Sequence, residues 1–77
     1  MSRPKADWTE QAPTTEEWDR AEEAIDACRR SGRRENLHTT YGDAYAYPSP
    51  RGDIIWGING GPNGFCIAQG RANKDSK

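Results

Sequence analysis

Two hydrophobic periods divide this chain. Between Thr14 and Gly32 the apolar positions Trp18, Ala21, Ile25 and Cys28 recur at spacings of three, four and three, which gathers them into one narrow stripe of a helix. Beyond Gly32 the spacing falls to two. Ile54, Trp56 and Ile58 alternate with Ile55 and Gly57, and Phe65 and Ile67 alternate with Cys66 and Ala68, as the two sides of β-strands do.

The helix has clear limits. Thr14 followed by Glu17 has the spacing of a capping box, in which the threonine oxygen accepts the N3 amide and the glutamate accepts the N-cap amide. Gly32 is placed to end the helix in the left-handed conformation, so a helix is predicted over 15–31. Three strands follow. The first runs from Leu37 to Tyr47, bulged near Gly42 and Asp43, with Gly42, Ala44 and Ala46 on one side and Tyr41, Asp43, Tyr45 and Tyr47 on the other. The small side allows a helix to pack closely, which leaves the tyrosines on an open sheet face. Pro48 to Gly52 forms a turn, Asp53 to Ile58 the second strand, Asn59 to Gly64 a wide turn, and Phe65 to Gln69 the third strand.

The expected architecture is therefore α+β, a single N-terminal helix packed on a three-stranded antiparallel meander (αβββ). Residues 1–13 have no period and read as an arm, 14–70 as one small domain, and 71–77 as a polar tail.

Composition makes this a lean fold. In 77 residues, 32% are hydrophobic and 30% charged, so the core is thin, and self-association into a homodimer or a partner that covers apolar surface would help it. No apolar run is long enough for a membrane span and no charged start leads into an apolar signal region, so a cytoplasmic protein is expected. Cys28 and Cys66 read as buried free thiols rather than as a bridge.

Charge is sorted along the helix. Residues 14–27 hold six acids and one base, while residues 28–34 hold Arg29, Arg30, Arg33 and Arg34 and no acid, within a net charge of -1. Acids near a helix start and cations near its end match the macrodipole, and Glu16 with Arg20 and Asp26 with Arg30 have i,i+4 spacing.

Candidate chemistry is thin. The glycine-rich NGGPNG stretch leads into a strand instead of the helix that a phosphate cradle requires, so it reads as a hairpin turn. His38, Cys28 and Cys66 have no metal-ligand spacing, and Arg51-Gly52-Asp53 reads as a turn closing on a strand. No placed nucleophile, base or metal set is visible, which points away from an enzyme and from a cofactor. Binding surfaces are better supported. Tyr41, Tyr45 and Tyr47, joined by Trp56, offer an aromatic strip for a partner protein. Asp19, Glu22, Glu23 and Asp26, with Glu16, offer an acidic row that imitates a phosphate backbone toward a nucleic-acid-handling complex.

The expectation is a non-enzymatic protein-binding module, an inhibitor or modulator of a larger protein or nucleoprotein complex. Size, lean core and absence of catalytic groups fit the small accessory inhibitors of phages and mobile elements, anti-CRISPR proteins among them, as an analogy of kind without a shared motif. The alternative is a small RNA or single-stranded DNA binder using Arg29, Arg30, Arg33 and Arg34 with the tyrosines.

Overall fold

A computed structural model describes residues 6–9, 12–40, 42–60 and 64–74. The element order is β1 (Ala6–Thr9), α1 (Thr15–Ser31), β2 (Glu35–His38), β3 (Asp43–Pro48), β4 (Ile54–Gly60) and β5 (Phe65–Ala72). The fold is α+β, with five antiparallel strands instead of the three expected, in the order β1-β5-β4-β3-β2. The helix connects the two edge strands.

Helix α1 has the predicted limits. The Thr14 amide donates to Glu17 Oε1 at 2.8 Å and the Glu17 amide donates to Thr14 Oγ1 at 3.2 Å, completing the capping box. At the other end Gly32 has φ 75° and its amide donates to the Cys28 carbonyl at 2.8 Å. Ala21, Ala24, Ile25 and Cys28 are buried against the sheet, and Trp18 packs beside them.

The single long strand expected over Leu37–Tyr47 is in fact a hairpin. Glu35–His38 pairs with Asp43–Ala46, so the chain reverses where a bulge was predicted. At the reversal the Thr39 amide donates to the Gly42 carbonyl at 2.8 Å, and the Gly42 amide donates to Thr39 Oγ1 at 2.9 Å. Gly42 is required there for space, since a β-carbon would collide with the carbonyl of Asn59 on β4.

The region read as an arm contains β1, whose Trp8 and Thr9 lie opposite Gln69 and Ala68 of β5. The third predicted strand also runs on, through Arg71 and Ala72, into the expected tail. Between β4 and β5 the register shifts after Ile58, which pairs with Ala68 while Asn59 pairs with Cys66. Ile67 is the extra residue of this bulge. The bulge turns Ile67 and Ala68 both into the core, at 6% and 0% exposure, where strict alternation would place them on opposite faces.

Helix α1 covers β2, β3 and β4 on one face only. That face carries Ala44, Ala46, Ile54, Trp56 and Ile58, all buried. The alanines let the helix sit close around the largest of these side chains, Trp56, whose ring meets Trp18 edge-on with centroids 5.7 Å apart. Trp56 is 0% exposed, which corrects its placement with the tyrosines on the open face: its register partners Ala46 and Gly70 are helix-facing, so it is a core residue. Both cysteines are free, Cys28 buried beneath the helix and Cys66 half-buried on the opposite side of the sheet. No helix among the described residues is long and apolar enough to cross a membrane.

Candidate functional site

The face away from the helix has no covering layer among the described residues, and register fixes what it presents. One row across it runs Asn36, Tyr45, Gly57, Gln69 and Trp8, from one edge strand to the other. The next row holds Tyr47, Ile55 and Arg71. His38, Asp43, Asn59 and Cys66 form a third. Directly opposite residues share a face and lie about 5 Å apart, so these rows are a continuous surface.

Tyr45 lies over Gly57, whose missing side chain gives the ring room: a β-carbon on Gly57 would collide with the Tyr45 hydroxyl and ring. Tyr47 stacks beside it, with centroids 6.1 Å apart and planes 13° from parallel. The Arg34 guanidinium stands over both rings, 5.0 Å from one centroid and 5.5 Å from the other. Its Nε donates to Asn36 Oδ1 at 3.1 Å. Burial, and then the neighbouring Cys66 thiol, push the Tyr45 phenol above the ordinary tyrosine value. The sequence pattern identified the tyrosine face but not the part of Arg34, which belonged on charge grounds to the helix-end cluster.

That cluster does not form one patch. Arg29 donates to Asp26 at 2.9 Å and to the Asn73 carbonyl at 3.0 Å, and Arg30 lines a groove between helix and β2 together with Glu23, Asp26, Ala27 and Leu37. Arg33 is exposed in the loop after the helix, and Arg34 alone reaches the tyrosines.

The acidic row is likewise partly occupied. Glu23 pairs with Arg20 and Asp26 with Arg29, both at 2.9 Å, so the helix uses i,i+3 pairs where i,i+4 pairs were expected. Glu16 accepts from the Thr40 amide at 3.0 Å and from the Thr40 hydroxyl, tying the first helical turn to the β2–β3 hairpin. These bonds to Thr40 hold the Glu16 carboxyl below the usual glutamate value. Asp19 and Glu22 have no ion pair among the described residues. Tyr41 lies outside the described residues.

Among the described residues, two large apolar side chains are exposed. Trp8 is 45% exposed on the open face and Phe65 68% exposed at the start of β5. No group of three or more metal-ligating side chains occurs among the described residues.

The fold and this surface define a small α+β domain whose described residues cover one sheet face and leave the other open. Comparison with protein-family models, with curated proteins and with solved structures gave no match to the chain.

Proposed function

We propose that this chain is a non-enzymatic binding module that docks a partner protein on its open sheet face, and so inhibits or modulates a larger protein or nucleoprotein complex. The observation that carries this reading is the surface formed by Tyr45, Tyr47, Arg34, Ile55 and Trp8 on the side that the helix leaves bare. Tyrosine, tryptophan and arginine carry much of the energy of protein interfaces, because each adds a large rigid contact with a polar end. The helix is the weaker candidate for the main contact, since Glu16, Glu23 and Asp26 already have partners within the fold.

A second reading, a single-stranded nucleic-acid binder, is favoured by one observation, the guanidinium set over two stacked aromatic rings, an arrangement that also suits bases. The two separate in a pull-down from lysate with and without nuclease, using the wild type, Tyr45→Ser with Trp8→Ser, and Glu22→Gln with Glu23→Gln. The first reading expects a stoichiometric protein that survives nuclease and is lost only with the open-face variant. Recovery of nucleic acid alone would overturn it.

A further inference from the structure

Among the described residues of the open face, two polar pairs are made within the sheet. His38 Nδ1 lies 2.7 Å from Asp43 Oδ1, and Arg71 reaches Asp53 at 3.5 Å. Arg34 has no carboxylate partner among the described residues. Its position is nonetheless fixed, by the Asn36 bond and by the two tyrosine rings beneath it. A guanidinium carries five N–H donors in a planar fork, and Asn36 takes one of them. The ring faces hold the cation by their quadrupole without neutralising it, so the remaining donors are oriented and unspent.

We infer that the Arg34–Tyr45–Tyr47 stack is a carboxylate receptor, which takes an aspartate or glutamate side chain from an extended, otherwise apolar segment of the partner protein. This rests on the reading of the open face as a protein-docking surface and adds the chemistry of its occupant. A planar carboxylate matches the guanidinium fork in two parallel bonds. Tyr47 and Ile55 beside it, opposite each other in register, offer an apolar bed for the neighbours of that acid. Charge argues against a nucleic-acid strand in the same place. A phosphate at every nucleotide calls for cations along its whole track, whereas among the described residues in the rows of this face Arg71 is already paired with Asp53, and Asp43 adds a further acid.

The test is a heteronuclear NMR titration of the full chain with three probes: an end-capped peptide of alternating valine and glutamate, its valine–glutamine twin, and an oligothymidylate of matched length. The glutamate peptide is expected to shift the Arg34 Nε–H and the Tyr45 and Tyr47 amides, and to bind about tenfold or more tightly than its twin, a difference typical of one charge-assisted contact. In Arg34→Gln, checked for an unchanged amide spectrum elsewhere, that preference should vanish. Equal binding of the two peptides on the open face would overturn the carboxylate receptor while leaving the docking surface in place. No shift at Arg34 with any probe would overturn the carboxylate receptor, and tighter binding of the oligothymidylate at the same resonances would overturn both. Concentration-dependent shifts of Arg34 without any probe would make a second copy of the chain the occupant and overturn the inference as stated.

Discussion

Tyr45 lies across Gly57, its ring filling the space that a side chain on the neighbouring strand would take. The glycine weakens a central strand by its backbone freedom, and the ring restores the lost cover from the adjacent strand. Because the obstructing group is a side chain, Gly57→Ala is expected to fold and to push the ring off the sheet. The Tyr45 phenol, raised by burial and by Cys66, should then titrate closer to the ordinary value of 10.0. Spectrophotometric titration of the wild type and of Gly57→Ala measures this. Since the folded value is raised, the burial of neutral Tyr45 contributes stability below pH 10, lost as pH rises through and above that value.

Trp56 is the largest buried side chain, and its indole N–H has no acceptor among the described residues. Its value to the fold is therefore packing, less the cost of that unpaired donor. Trp56→Ala should lose about 3–5 kcal/mol. A chain of this length has a total stability of roughly 4–12 kcal/mol, so that loss removes from about a quarter to all of it. Trp56→Phe sheds the unpaired N–H with part of the ring and should lose less than half as much. Denaturant titration followed by the far-ultraviolet helix signal reads both.

Glu16 joins the first turn of α1 to Thr40 at the tip of the β2–β3 hairpin. The carboxyl is depressed below its ordinary 4.5 by those bonds, so their contribution is complete above that value and is lost as pH falls through the lower folded one. The protection of the Thr40 amide, taken against its intrinsic exchange rate at each pH, should therefore fall in acid while protection in the helix interior does not. In Glu16→Gln the neutral side chain does not titrate, so protection at Thr40 should be lower than in the wild type at neutral pH and lose this acid step. Protection at Thr40 that ignores both pH and the variant would remove the clamp from the account.

What could be read in advance divides along physical lines. Local signals held: the Thr14–Glu17 capping box, Gly32 as the helix stop, and the alternation that set Ile54, Trp56 and Ile58 on one side of their strand and Tyr45 and Tyr47 together on one side of theirs. Signals that depend on distant partners were invisible. Strand β1 has one large apolar residue and no alternation, because as an edge strand it is held by backbone pairing to β5. Gly42 looked like a bulge because the reason for the glycine, the nearby Asn59 carbonyl, lies on another strand. Trp56 was assigned to the open face because two-residue alternation says which residues share a face, but not which face the helix covers. Arg34 was grouped with its sequence neighbours, since nothing local shows that the chain after Gly32 swings it over the tyrosines.

On the function proposed above, the open sheet face, and not the acidic helix, meets the partner. Site-specific photo-crosslinking tests it most directly, with a photoreactive side chain placed in turn at Gln69 on the open face and at Glu22 on the helix, and lysate irradiated after nuclease treatment. A single crosslinked protein from position 69, with none from position 22, is the predicted result. Crosslinking from position 22 alone would contradict it and move the interface to the helix.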